Sequence, residues 1–217
     1  MDPFESERET MVRDQIERRG LKNPRVLDAM RAVPRHLFVK SSLQKHAYAD
    51  RPLTIGHYQT ISQPYVVALM CDRLELEATD RVLEIGTGSG YAAAVLAQLC
   101  ERVVTVERIP ELAESARQTL AKADCTNVTV HCGDGTLGFP ADAPFDAILV
   151  SAAAPAVPEA YKQQLRAGGR LVIPAGKSRS SQSLYRVRKK SDSEFAVEDL
   201  GGVAFVPLIG EKGWQDF

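Results

Sequence analysis

The hydrophobic rhythm of the chain changes near residue 80. Before that point apolar residues recur at helical spacing. Met11, Val12 and Ile16, with Gln15 and Arg19 on the polar side, give a short amphipathic period that stops at Gly20. Val26, Leu27, Met30 and Val33 form the stripe of a second helix, with Asn23 placed as its cap, Pro24 in its first turn and Pro34 at its end. Ser62-Gln63-Pro64 opens a third helix that runs to about Leu74, carrying Val66, Val67, Leu69 and Met70 inside. Between these helices, Leu53 to Ile61 keeps neither the helical nor the strand period and reads as an ordered loop.

From Arg81 onward strands and helices alternate, the pattern of a doubly wound parallel sheet. Val82 to Ile85, Val103 to Val106, Val128 to Val130, Phe145 to Val150 and Arg170 to Ile173 are the strands. The fourth is an almost unbroken apolar run, as expected of a strand covered on both faces. Helices are predicted over Tyr91 to Leu99, Pro110 to Ala121 and Pro158 to Leu165, and Gly168-Gly169 is expected to turn into the fifth strand. Leu184 to Arg188 and Ala204 to Leu208 read as further strands at the C-terminal edge. No linker divides the chain. The fold class is therefore α/β: a doubly wound, mostly parallel Rossmann-like sheet with added N-terminal helices. One domain over 1–217 is expected, with a helical and loop region at 1–77 and the Rossmann-like core at 78–217.

Composition narrows the chemistry. The chain has 217 residues and a formal net charge of −1, so no global charge draws it toward nucleic acid or anionic lipid. Its start is polar and acidic where a secretory signal would be basic and then apolar, and no run approaches a membrane span. A cytoplasmic protein with neither nucleic-acid nor membrane partners is expected. No long apolar surface stripe is visible, and a monomer is expected. The four cysteines form no C-x-x-C pair and the four histidines have no ligand spacing, so no metal is expected and the thiols should be reduced. Arg186, Arg188, Lys189 and Lys190 are the one dense basic stretch, read as a charged hairpin tip or guarded edge strand.

In an open parallel sheet, ligands bind beyond the carboxyl ends of the strands where strand order reverses. The sequence places Glu84-x-Gly86-Thr87-Gly88-x-Gly90 at such an end. Glycines allow a sharp turn and close approach of a ligand to backbone and helix N-terminus. A dinucleotide fingerprint would need Gly or Ala at position 91, which is Tyr91. The acidic Glu84 suits a ligand with an ammonium group and no pyrophosphate. The pattern resembles the first motif of class I S-adenosylmethionine-dependent methyltransferases. Glu107, at the end of the second strand, stands where a carboxylate can accept both ribose hydroxyls, or simply where it can start the next helix. Asp134, between Gly133 and Gly135 after the third strand, is placed to accept from an adenine amino group or to make an Asx turn.

The methyl acceptor is indicated elsewhere. Ser151-Ala152-Ala153-Ala154-Pro155 after the fourth strand lacks the Pro-Pro-aromatic motif of base-amino methyltransferases, and there is no Pro-Cys nucleophile. Gln59-Thr60-Ile61-Ser62-Gln63-Pro64, Val33-Pro34-Arg35-His36-Leu37-Phe38-Val39 and Phe205-Val206-Pro207-Leu208 closely resemble the protein-L-isoaspartate (D-aspartate) O-methyltransferase family, over about Met11 to Leu208. That resemblance implies methyl esterification of the free α-carboxylate of L-isoaspartyl residues, with D-aspartyl residues as a further acceptor, in damaged proteins and peptides. S-adenosylmethionine would be the donor and S-adenosylhomocysteine the product, and the ester would collapse to a succinimide. It also implies Ser62 as the active-site serine with Thr60 beside it, Ile61 and His57 in the acceptor pocket, and backbone pairing of substrate at Val206. Ser62 alone could equally cap the helix that follows, and His57 could be a merely solvated loop histidine. His57-Tyr58 and Ala204 depart from the family pattern, which usually has a Gly-containing pair and an arginine there. A small-molecule methyltransferase, a Rossmann oxidoreductase and a non-catalytic cofactor-binding protein are the rival readings.

Overall fold

The computed structural model describes residues 3–215; Met1, Asp2, Asp216 and Phe217, at the ends of the expected 1–217 domain, lie outside the described residues. The first helix begins before the apolar stripe that announces it. Helix α1 (Glu5–Thr10) buries nothing and continues as a π-helical stretch Met11–Ile16 and a 3-10 turn Glu17–Arg19, ending where Gly20 takes φ +97°. Helix α2 (Pro24–Ala32) is capped as its sequence requires: the Asn23 side chain accepts the Arg25 N–H at 3.1 Å.

Leu53 to Ile61 is not a loop. Strands β1 (Leu53–Gly56) and β2 (Gln59–Ile61) pair antiparallel as a hairpin. Its tip residues His57 (φ +50°) and Tyr58 (φ +56°) both hold the left-handed conformation that a two-residue hairpin turn demands. Neither is glycine or asparagine, which is why the sequence gives no turn signal. Helix α3 (Pro64–Leu74) follows, and its cap position is Gln63, with no side-chain cap bond. Ser62 is thus free of the capping role that its place in the sequence also allowed.

The sheet is built from β3 (Arg81–Ile85), β4 (Arg102–Glu107), β5 (Val128–Cys132), β6 (Phe145–Val150), β7 (Leu165–Ser178), β8 (Ser181–Lys189) and β9 (Phe195–Val203). Their order is β5-β4-β3-β6-β7-β8-β9, parallel through β7 and antiparallel for the last two. Helices α4 (Tyr91–Ala97), α5 (Pro110–Lys122) and α6 (Glu159–Gln164) make the connections. Alternation along each strand divides the core. Val82, Val103, Ala147, Leu149 and Val172 face one layer, which also takes Met11, Ile16, Met30 and Phe38 from the N-terminal helices. Leu83, Ile85, Val104, Val106, Ile148 and Ile173 face the other, with Tyr161 of α6.

Three expectations for the C-terminal third need correction. Gly168-Gly169 does not precede β7 but forms a bulge inside it: Leu165 pairs with Phe145, then Arg170 with Ala147. The edge strand is β9, whose mostly exposed side chains carry little apolar pattern. Ala204 to Leu208 is no strand; it crosses the end of β6, where the Ala153 N–H donates to the Val206 carbonyl and the Leu208 N–H to the Ala153 carbonyl, each at 2.8 Å. Of the basic stretch, Arg186, Arg188 and Lys189 lie in β8, inside the sheet, and Lys190 begins the hairpin turn into β9. The charges of this stretch are answered: Arg186 and Arg188 pair with Glu75, Arg186 also with Glu198, and Lys190 with Glu194.

Opposite the site, at the amino ends of the strands, Arg170 is nearly sealed from solvent. Its guanidinium donates to the Leu74 carbonyl at 2.8 Å, the Glu75 carbonyl at 2.7 Å and the buried Asp80 carboxylate at 2.5 Å. It ties the end of α3 to the sheet. Arg170→Ala should destabilise the fold by about 3 kcal/mol, because the buried Asp80 keeps only the half-exposed Arg166 at 3.7 Å and two carbonyls lose their donor; urea denaturation followed by circular dichroism measures it.

Candidate active site

The chain runs from β3 outward to β4 and β5, returns to β6 on the other side of β3, and continues outward to β9. Strand order therefore reverses between β3 and β6, and a crevice opens beyond their carboxyl ends. The glycine loop after β3 and Ser151 after β6 flank it. A cleft lies there, lined by Glu84, Gly86, Thr87, Gly88, Glu107 and Gly135 together with Thr60, Ile61, Ser62 and Val206.

The glycine loop is fixed by its neighbour strand. Gly86 at φ +88° donates its N–H to the Val106 carbonyl at 2.9 Å. Glu107 accepts the Gly88 N–H at 2.9 Å with one carboxylate oxygen and the Ile109 N–H at 3.0 Å with the other. It both starts the next helical segment and keeps lone pairs toward the cleft. Gly135 could carry no side chain, since a Cβ there would stand 2.7 Å from Ile85. Gly90 belongs to the same motif but faces away from the cleft, packing α4 against Leu120 and Ala116 of α5.

Glu84 is the most costly residue of the site. It is wholly buried; one carboxylate oxygen accepts the Thr105 hydroxyl at 2.6 Å, and Thr105 in turn touches the Thr87 hydroxyl at 2.6 Å. The other oxygen, Oε1, has no partner. Burial pushes the carboxyl up to about 8, the Thr105 hydrogen bond opposing and the nearby Glu107 charge adding to the rise. An orphaned, buried acceptor on the wall of a glycine-lined cleft fits a ligand that brings an ammonium group.

Asp134 stands outside this cleft, in an adjoining recess with Arg108, Ile209 and Trp214. Its oxygens accept the Thr136 N–H at 2.9 Å, the Thr136 hydroxyl at 2.6 Å and the Glu211 N–H at 2.8 Å. The Asx turn is thus made, and the same carboxylate anchors the C-terminal segment. Partial burial would raise its pKa, but these hydrogen bonds and Arg108 outweigh that and hold it below the usual carboxylate range. Trp214 adds a second anchor, donating its indole N–H to the Ala153 carbonyl at 3.0 Å. His57 is exposed at the hairpin tip and lines neither cavity.

Beyond the cleft lies a wider groove of about 1180 Å³, walled by Pro52, Val66, Gln182 and Phe205. Four residues, Thr60, Ser62, Ser151 and Val206, line both cavities and so form the neck between them. Ser151 was missed in the sequence, although its position at a strand end beside the reversal point was a usable signal. Arg35 was missed as well: it donates to the Ser62 carbonyl at 2.7 Å from a fully buried position.

A family model described as Protein-L-isoaspartate(D-aspartate) O-methyltransferase matches residues 6–213. The chain belongs to this family. A curated relative from Methanoculleus marisnigri, named protein-L-isoaspartate O-methyltransferase, is 55% identical over 214 residues, 99% of this chain and 96% of the relative. A solved structure titled protein-L-isoaspartate O-methyltransferase superposes with a TM-score of 0.85 at 30% identity, covering 95% of this chain and 67% of that one. Another, a Plasmodium falciparum protein described as a putative protein-L-isoaspartate O-methyltransferase in complex with S-adenosyl-L-homocysteine, gives 0.82 at 26% identity, covering 93% and 98%.

With Glu84 titrating at about 8, the carboxyl is protonated in the free protein near pH 7, and an ammonium bound there displaces the proton. Calorimetry with S-adenosylhomocysteine in buffers of different ionisation enthalpy should show release approaching about one proton near pH 7 and falling to none well above pH 8. Glu84→Gln should release none and bind more weakly. The sign for stability is opposite: the unfolded chain ionises first, so the ligand-free fold loses stability as pH rises from the ordinary carboxylate range through about 8. Asp134→Ala should speed amide hydrogen exchange at Glu211 and across residues 208–215, and weaken S-adenosylhomocysteine binding by about 3- to 10-fold, the worth of about one ordinary hydrogen bond.

Proposed function

We propose that this family member methylates the free α-carboxylate of L-isoaspartyl residues in damaged proteins and peptides, using S-adenosylmethionine. The observation that carries the reading is the neck: a cleft lined by the glycine loop, Glu84 and Glu107 opens through Thr60, Ser62, Ser151 and Val206 into a second, adjoining groove. D-aspartyl residues are a further acceptor within the same reading.

When bound, S-adenosylmethionine supplies a methyl group already activated by its sulfonium. Glu84 Oε1 would take the ammonium of its methionine end, Glu107 the ribose hydroxyls, and Gly86, Thr87, Gly88 and Gly135 the close contacts along its length. Asp134 serves chiefly by anchoring the C-terminal segment beside the adenine end. On the acceptor side, a carboxylate needs no general base near neutral pH, because it is already ionised. The work left to the protein is alignment, worth as much as about 7–11 kcal/mol. The Ser62 and Thr60 hydroxyls donate to one carboxylate oxygen and leave the other free to attack, while Ile61 packs beneath. The Val206 carbonyl is already held by the Ala153 N–H, so pairing with an extended substrate falls to its N–H. The resulting ester then cyclises to a succinimide without help from the enzyme.

The same reading treats residues 1–217 as one domain acting as a cytoplasmic monomer. The cysteines are free, which suits a reducing compartment. Among the described residues no helix is long and apolar enough to cross a membrane. Leu37, Tyr58, Leu137 and Val197, the exposed large apolar side chains, lie on four separate segments.

Purified protein should transfer labelled methyl from S-adenosylmethionine, as base-labile ester, to a peptide with one L-isoaspartyl link and not to its L-aspartyl twin. Ser62→Ala should lower kcat/KM by about 10- to 100-fold, the worth of one hydrogen bond to a charged group. Ester on neither peptide, with S-adenosylhomocysteine binding intact, would overturn the assignment.

A further inference from the structure

Arg35 opens the 3-10 turn Arg35–Phe38 and has no exposed surface. Its Nε donates to the Ala47 carbonyl at 2.7 Å, and its Nη2 to the Ser62 carbonyl at 2.7 Å. The guanidinium carbon sits 4.7 Å from the centre of the Tyr91 ring. Its third nitrogen, Nη1, has no partner, and no carboxylate pairs with it among the described residues. Two carbonyl dipoles and an aromatic face are modest compensation for a buried cation. A sequence that needed only to fill this volume would be better served by an apolar side chain.

What the cation joins explains its retention. Ser62 belongs to the acceptor wall, and Tyr91 is the first residue of α4, directly after the glycine loop, with its ring packed in the core against Phe38. We propose that Arg35 is a positioning residue for methyl transfer, its planar fork clamping the Ser62 backbone against the cofactor helix so that the Ser62 hydroxyl meets the acceptor carboxylate in register. Carbonyl and hydroxyl belong to one residue, so fixing the first restricts the second. A guanidinium reaches two carbonyls at once where a lysine reaches one. Its positive charge, one residue from the acceptor position, also favours a carboxylate there over a neutral amide. The inference rests on the function proposed above, and its test carries a readout that needs no turnover.

Arg35→Lys, Arg35→Gln, Ser62→Ala and the Arg35→Lys/Ser62→Ala pair are compared with the wild type. Arg35→Lys should bind S-adenosylhomocysteine within about twofold of wild type and lose about 10- to 100-fold in kcat/KM on the isoaspartyl peptide. In the Ser62→Ala background the same replacement should cost less than about threefold, because the hydroxyl being positioned is gone. Amide hydrogen exchange at residues 59–63 should quicken in Arg35→Lys while the glycine loop exchanges as before. Additive losses in the double variant, unchanged exchange at 59–63, or failure of both Lys and Gln variants to fold would overturn the proposal and leave Arg35 a residue of the fold. A wild type that esterifies no isoaspartyl peptide would count against the function instead, and the exchange comparison would still judge the clamp.

Discussion

Two neighbouring strands whose connections depart in opposite directions leave a gap that no helix of the sheet can cover. In this chain the gap lies beyond β3 and β6, and nearly everything chemical follows from it. The glycine loop turns into the gap from one side and Ser151 from the other. Because the β3–β4 register sets Glu84 against Thr105, the acidic side chain next to the end of β3 is held inside the protein and not out in solvent. The sheet thus delivers a buried carboxyl, a row of backbone N–H groups and a crevice to one place before any ligand is considered.

The additions to the sheet serve to close that crevice. Hairpin β1–β2 approaches the glycine loop from above, close enough that a Cβ on Gly88 would touch Ile55 at 3.4 Å. The C-terminal segment is laid over the opposite end through Asp134, Thr136 and Ala153. The hairpin is seated by Leu53 and Ile61, buried in one layer of the core, and the C-terminal segment by Leu208, buried in the other. Access of a polypeptide and enclosure of a cofactor are thereby assigned to different parts of the same chain.

Where the sequence was legible, a residue type was forced by backbone geometry. Gly86, Gly135 and the Asn23 cap could be read because few side chains satisfy a left-handed turn, a 2.7 Å contact or an open helix end. The hairpin stayed hidden because His57 and Tyr58 hold left-handed angles without the residues that advertise them. Edge strand β9 has too little burial to leave a pattern, while Ala204 to Leu208 has the pattern of a strand because Phe205, Val206 and Leu208 pack inward, not because the segment pairs in the sheet. At the site, Gly90 shares a motif with Gly86 and Gly88 but serves helix packing, a distinction that depends on which neighbour lies behind it. Arg35 was illegible for another reason. Arginines are ordinarily exposed, so nothing in the sequence separates the one that is sealed inside from the many that are not.

The two sealed ionisable groups, Glu84 and Arg35, lie on opposite sides of the crevice and make one physical scheme. Among the described residues, neither Glu84 on the glycine side nor Arg35 behind the acceptor side has an oppositely charged partner. A fold tolerates such cost when the missing partner arrives with a ligand. The signs suit the reaction proposed here: an ammonium answers the carboxyl, and an acceptor carboxylate lies toward the cation. Methyl transfer from a sulfonium to a carboxylate cancels two opposite charges, and a reaction that destroys charge is favoured where water is excluded. The same exclusion that makes Glu84 and Arg35 expensive in the empty fold is therefore what the chemistry gains from once both ligands are in place.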